Sequence, residues 1–363
     1  MWQNKGNPLQ KGLLALFALI LIIGVTAGCG KKDEGGSTAA PEGNPDEVLV
    51  TYKDGGQVTR GEFETFMNVN LLFNQQYAQY KDEPAFQHDM MNQLVAFKIL
   101  ASRADDKAKA EADKQSQQQL EQLKSFMGMQ EGGMEKLLKD NNITEKDLDE
   151  FVHQSIQVFV SEESKIPDAD LKAAYDQKLT QDKNAYDIAT VSHILIGIND
   201  PATGKETRTK EEALKRAKEV KDKLTQGGDF AALAKEYSED PGSKDKGGTY
   251  TDMPLSQWVP EFKQAAIELP IGQISDPVET TFGYHIMKVE SRKTKTFDEV
   301  KPDLRSEAAQ NKVHEFMEKE LPGLIETNNL PKPEESKPAE TPGTQAPQPD
   351  APQSDAPKTE NGK

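Results

Sequence analysis

The chain has 363 residues, with 61 acidic side chains against 44 basic ones and a formal net charge of −17. Nucleic-acid binding needs clustered Lys and Arg to meet phosphate, so this balance argues against a nucleic-acid partner. Cys29 is the only cysteine, which rules out an intramolecular disulfide and leaves the folded part to be held by its core alone.

Lys5 and Lys11 precede an apolar run from Leu13 to Val25. That run is too short and too one-sided for a spanning helix and has the form of a secretion signal. It ends in Thr26-Ala27-Gly28-Cys29. Small residues before a cysteine resemble the lipobox of bacterial lipoproteins, with Thr26 where Leu is most usual. The resemblance implies that residues 1–28 are removed as a signal peptide and that the Cys29 thiol takes a diacylglycerol. Two acyl chains, at about 0.8 kcal/mol per buried CH₂, anchor a protein without a spanning helix. The alternatives are an ordinary signal peptide with an incidental cysteine, or an uncleaved anchor. Loss of residues 1–28 removes two positive charges and no negative one, leaving −19. Anionic headgroups repel such a surface, so the lipid and not charge would hold it at the membrane. Residues 29–45 are Gly-, Ser- and Pro-rich and read as a flexible tether.

About 280 residues then remain before the tail, enough for two domains. VLVTY from Val48, followed by KDGGQVT, reads as a strand, a Gly-rich turn and a second short strand. Thr59 with Glu62 forms a capping-box start. Phe63, Phe66, Met67, Asn70, Phe73 and Tyr77 follow at helical spacing. Pro84 opens the next helix, whose apolar portion runs from Met90 to Ile99. The Lys/Gln/Glu/Ala-rich stretch Ala101 to Leu123 reads as its solvated continuation. Gly132-Gly133 breaks the pattern, Asn141 to Asp147 is a loop, and Thr144 caps an amphipathic helix carrying Leu148, Phe151, Val152, Ser155, Ile156 and Phe159. Pro167 interrupts again, and Asp168 caps a short helix with Leu171, Ala174 and Tyr175 inward. This helical region, 46–180, has no metal-ligand cluster and no phosphate-binding Gly motif. Its methionines (Met67, Met90, Met91, Met127, Met129, Met134) suit either core filling or an adaptable client surface.

Residues 187–292 change character. DIATVSHILI is β-branched and apolar, a buried strand. Thr209 and Glu212 cap a helix with Ala213, Ala217, Val220 and Leu224 inward, and shorter helices follow at Phe230 to Tyr237 and Pro260 to Leu269. Ile274 to Val278 and His285 to Glu290 read as strands. The order fits a small α+β sheet domain. A further capping box at Thr296 and Glu299 starts a helix through Val300, Leu304, Ala308, Val313 and Phe316, ending near Pro322-Gly323. One amphipathic helix cannot bury its face alone, so 296–328 is expected to pack on the N-terminal region. The segment 331–363 is Pro-rich and acidic with almost no apolar residue, and reads as a disordered tail.

Three motifs in order carry a family resemblance: VSHILI with His193, FAALAKEYSEDPGSKDKGG with Asp240, and LPIGQISDPVETTFGYHIMKV with His285. Together they resemble the parvulin family of peptidyl-prolyl isomerases across 187–292. With the lipobox, the helical flanks and the tail, the whole chain resembles the PrsA-type foldase lipoproteins. The resemblance implies a parvulin-like α+β domain inserted between two parts of a mainly α-helical, chaperone-like domain. It implies a catalytic group of His193, Asp240 and His285, a proline pocket of Met253, Trp258 and Phe262, and Thr280 in support of His285. It implies no cofactor and no metal, although the residue types of the trio taken alone would suit zinc. The partners implied are unfolded or newly exported proteins with X-Pro bonds, the membrane through Cys29, and a second copy in a homodimer. The location implied is the outer face of the cytoplasmic membrane of a Gram-positive cell. Thr249-Tyr250-Thr251-Asp252-Met253 departs from the usual D-L-G-x-F, which favours the alternative of a non-catalytic holdase on a parvulin scaffold. Lys205 and Arg208 are scattered, so no phosphoserine-proline preference is expected. A solute-binding lipoprotein would need repeated strand–helix units, which this chain lacks.

Overall fold

A computed structural model of the chain describes residues 43–130 and 132–332. The signal segment, the lipidation candidate Cys29, most of the tether and nearly all of the tail lie outside the described residues. Two flanks of the chain build one core. On the N-terminal side are strands β1 (Val48–Tyr52) and β2 (Gly56–Thr59), then helices α1 (Arg60–Phe73), α2 (Pro84–Ser102), α3 (Asp106–Gly128), α4 (Gly133–Asp140), α5 (Glu145–Ser164) and α6 (Asp168–Gln181). On the C-terminal side are α10 (Phe297–Lys319) and β7 (Ile325–Asn328). Leu49, Phe66, Met91, Phe97, Leu148 and Val152 are buried in one cluster with Val300, Leu304, Val313, Phe316 and Leu321.

Capping chemistry sets several of these boundaries. Thr59, Thr144 and Thr296 each accept from the backbone N–H three residues on, while the side chain of Glu62, Asp147 or Glu299 returns the bond. The helix expected to continue past Ala101 instead stops at Ser102. Asp105 starts α3 afresh by accepting the Ala108 N–H at 2.7 Å. Nor is α3 solvated all round. Ala108, Ala112, Ser116, Leu123 and Met127 are buried along one face, a stripe whose first three residues are so small that hydropathy barely registers them. Asp168 is not a cap either: it is the first residue of α6 and pairs with Lys301 at 2.6 Å and with Arg305. Met67, Met90, Met91 and Met127 are core residues, whereas Met129 is 73% exposed.

The flanks are joined by backbone as well as by packing. Strand β7, absent from the sequence reading, pairs antiparallel with β1 and makes the sheet order β2-β1-β7. Arg305 on α10 donates to the Glu163 and Ile166 carbonyls at 2.9 and 2.8 Å, tying α10 to the end of α5.

Between the flanks lies the insert: β3 (Asp187–Gly197), α7 (Lys210–Thr225), α8 (Phe230–Tyr237), β4 (Thr249–Pro254), α9 (Pro260–Glu268), β5 (Val278–Thr280) and β6 (Gly283–Thr294). Its four-stranded sheet runs β4-β3-β6-β5. Side chains alternate across β3 and β6. Ile194, Ile196, Tyr284 and Ile286 face α7 and α8, and Ala189, Val191, Met287 and Val289 face Leu255, Phe262 and Ala266. β4 escapes the periodicity argument because it is a polar, half-exposed edge whose Asp252 has φ +49°. The strand expected at Ile274 to Val278 reduces to one bridge between Ile274 and Lys288, and β5 begins after Pro277, which has no N–H to give a ladder. The chain enters and leaves the insert side by side, with Lys295 N–H donating to the Tyr186 carbonyl at 3.0 Å.

Candidate active site

Alternation puts His193 on the β3 face opposite α7, and His285 on the same face of the neighbouring strand β6. In the ladder His193 lies opposite Met287, and His285 opposite Leu195. The two histidines are therefore diagonal neighbours, close enough for long side chains to meet. Their Nδ1 atoms are 3.1 Å apart and both residues are buried.

The segment after α8 brings the carboxylate. Ser238, fully buried, accepts the Leu195 N–H on its Oγ at 3.2 Å, and Glu239 N–H donates to the Leu195 carbonyl at 2.8 Å. Further on, His193 N–H donates to the Gly248 carbonyl at 2.8 Å. Gly248 has φ +78°, and a Cβ there would run into the His193 carbonyl, so this position needs glycine. Asp240, held between these ties, reaches His193 Nε2 with Oδ2 at 3.0 Å.

The protons can be placed. An ionised Asp240 only accepts, so His193 Nε2–H donates to it and His193 Nδ1 is left as an acceptor. His285 Nδ1–H then donates to His193 Nδ1, and the Thr280 hydroxyl donates to His285 Nε2 at 2.8 Å. Every ring nitrogen thus has a protein partner, and His285 is neutral. Burial first, and the adjoining His193 ring second, push His285 from 6.5 down to about 3. For Asp240, burial pushes upward. Hydrogen bonds from His193 and Ser243, the charge of His193 and the Gly242 N–H outweigh it and hold the carboxyl well below the usual range.

Over this polar floor stands an apolar wall. Phe262 presents its ring edge-on to both histidines, with centroids 5.3 Å from His193 and 5.2 Å from His285. Trp258 meets Phe262 at 5.0 Å. With Met253, Val259, Phe282 and Pro201 they line a cavity of about 530 Å³ that opens onto His193, Asp240 and His285. Thus the seven residues singled out in this module, His193, Asp240, His285, Met253, Trp258, Phe262 and Thr280, come together at one site.

Two further residues belong to it that sequence reasoning did not single out. Ser243, fully buried, donates to Asp240 Oδ2 and lies 3.0 Å from His193 Nε2. Tyr250 on β4 donates to the same Oδ2 at 3.0 Å. Both stand in or beside the GSKDKGG segment, but a serine in a turn and a tyrosine on an edge strand carry no signal until the backbone places them.

Residues 177–293 match the family model described as the PPIC-type PPIASE domain. A curated relative, Foldase protein PrsA 4 of Bacillus cereus, is 35% identical over 227 residues, spanning 62% of this chain and 69% of that protein. The chain belongs to the PrsA foldase family. Foldase protein PrsA of Caldanaerobacter subterraneus is 28% identical over 339 residues, 88% of this chain and 95% of the relative. Among solved structures, a peptidylprolyl isomerase (PrsA) from Bacillus anthracis is 28% identical, covering 64% of this chain and 94% of its own, with a TM-score of 0.33. As a PrsA-family member the chain is a parvulin-type peptidyl-prolyl cis/trans isomerase that assists protein folding. The reading as a non-catalytic scaffold is set aside.

Proposed function

We propose that this foldase is lipid-anchored through Cys29 outside the cytoplasm, at the cytoplasmic membrane of a Gram-positive cell, and acts on newly exported proteins with X-Pro bonds. The lipobox-like Thr26-Ala27-Gly28-Cys29 supports the anchor. Among the described residues no helix is long and apolar enough to cross a membrane, which is compatible with it. In this reading 1–28 is the signal peptide, 29–45 the tether, 46–180 with 296–328 the client-holding part, 187–292 the isomerase and 331–363 a solvated tail. The proposal includes a homodimer, to be checked by sedimentation of the full chain.

The observation that carries the site reading is the apolar cavity standing over a fixed His–His–Asp chain. X-Pro rotation faces a barrier of about 18–20 kcal/mol, and no covalent bond has to break. The catalyst need only bind the twisted amide better than either planar form. Met253, Trp258 and Phe262 take the proline ring, and twisting lets that ring seat without its planar constraint. The planar amide owes its stiffness to a resonance form with negative charge on the carbonyl oxygen. Asp240, ionised and beside that oxygen, disfavours this form and so weakens the C–N double-bond character. His193 and His285 hold the carboxylate and the cavity floor in place, with Thr280 setting the last tautomer. Each 1.36 kcal/mol of such selectivity gives tenfold in rate.

The test uses X-Pro peptides with the full chain in detergent. The full chain should accelerate isomerisation, and His285→Ala and Phe262→Ala, each checked for folding, should lose most of the acceleration. Full activity in both folded variants would overturn the site assignment. Separately, Cys29→Ser should move the protein from the membrane fraction to the soluble one, and its retention at the membrane would overturn the anchor.

A further inference from the structure

We infer that Tyr250 is a positioning residue of the isomerase, acting through Asp240. The inference rests on the reading of the cavity as the isomerase site. Tyr250 occupies the second place of the segment that departs from D-L-G-x-F, where the pattern has Leu. It lies opposite Val191 in the β3–β4 ladder, and it lines the cavity. Its ring lies over the His193 ring, centroids 5.6 Å apart and 25° from parallel. Its hydroxyl donates to Asp240 Oδ2 at 3.0 Å.

That oxygen already receives His193 Nε2–H and the Ser243 hydroxyl, while Oδ1 receives the Gly242 N–H at 3.2 Å. These three donors come from β3 and the turn after α8, and none comes from the β4 side. The phenol approaches from the β4 side as a fourth donor and fixes the carboxylate there. The turn leaves room for it, since a Cβ on Gly242 would overlap the Tyr250 hydroxyl. Burial, then the charge of Asp240 and the hydrogen bond to it, push the phenol up to about 12, so it stays a donor throughout the working range of pH. The departure from the family pattern therefore does not leave the pocket short of a wall residue. It adds a hydrogen bond to the Asp240 carboxylate in the cavity floor. A hydrogen bond that fixes a catalytic charge should act on kcat, because the surfaces that grip proline are untouched.

The test is Tyr250→Phe, which keeps the stacked ring and removes only the hydroxyl. In the full chain, kcat for X-Pro peptides should fall about tenfold with KM within about twofold, the change expected from losing roughly 1.4 kcal/mol of selective stabilisation. Combined with Asp240→Ala, the same substitution should cost no further activity, because a residue acting through Asp240 has nothing left to act on. An equal tenfold loss in both backgrounds, or wild-type activity of Tyr250→Phe, would overturn the inference. Should Asp240→Ala not fold, the ¹⁵N shift of His193 Nε2 replaces it. Tyr250→Phe should move that resonance, and an unmoved one overturns the inference equally. If Asp240→Ala and His285→Ala both keep full activity, the site reading itself fails. If they lose activity and Tyr250→Phe does not, only the role of Tyr250 falls.

Discussion

His285 should make the isomerase module lose stability on mild acidification. Its pKa is about 3 in the folded protein against 6.5 for the free side chain. Below 6.5 the unfolded chain therefore binds a proton that the folded chain refuses. The contribution to stability is fully present above 6.5 and is lost as pH falls toward 3. Linkage with these two values gives a loss of about 0.2 kcal/mol at pH 7 and about 2 kcal/mol at pH 5. Most carboxylates remain ionised over that interval, so histidine dominates it. Trp258 makes the assay local: the other tryptophan, Trp2, falls within the signal segment, so in a chain starting at Cys29 the indole fluorescence reports on the cavity alone. Urea unfolding followed by that signal should give about 2 kcal/mol less stability at pH 5 than at pH 7. His285→Gln should lose most of that difference. Equal pH sensitivity in the variant and the wild type would refute the reasoning.

Thr280→Val keeps shape but leaves His285 Nε2 buried without its donor, so the module should lose about 1–3 kcal/mol in the same unfolding assay, together with part of its kcat. Gly248→Ala should destabilise it more than an ordinary surface change, because a positive φ and a clash with the His193 carbonyl coincide; the Trp258 transition should move to lower urea. Arg305→Ala takes the donor from two carbonyls at the end of α5, and thermal unfolding by circular dichroism should show about 1–2 kcal/mol lost from the helical part. Activity on short peptides should be unchanged in that variant.

What the sequence made legible was what local chemistry decides. Thr59, Thr209 and Thr296 started helices where their capping partners said they would, and Thr144 capped one that begins inside the expected loop, at Glu145. The β-branched run around His193 gave a central strand, and motif order brought His193, Asp240 and His285 to one place. Harder to read were features that exist only between segments. Strand β7 is IETN, with no alternation of its own, and is a strand because β1 offers an edge. The first half of the buried face of α3 is Ala108, Ala112 and Ser116, visible only once α5 lies against it. Ser243 and Tyr250 gain their importance from a carboxylate they do not neighbour in a helix or a strand.

The pairing of β1 with β7 has a temporal side. A chain is made N-terminus first, and by residue 294 the insert has every residue of its two small cores. The helical part does not: the inner faces of β1, α5 and α6 await Val300 to Leu330. An exported chain also emerges from the membrane N-terminus first, so that stretch arrives last. Until then the protein has a complete isomerase attached to an unfinished host with its apolar side open. A chain halted before Phe297 would stay in that condition, aggregation-prone in its helical part.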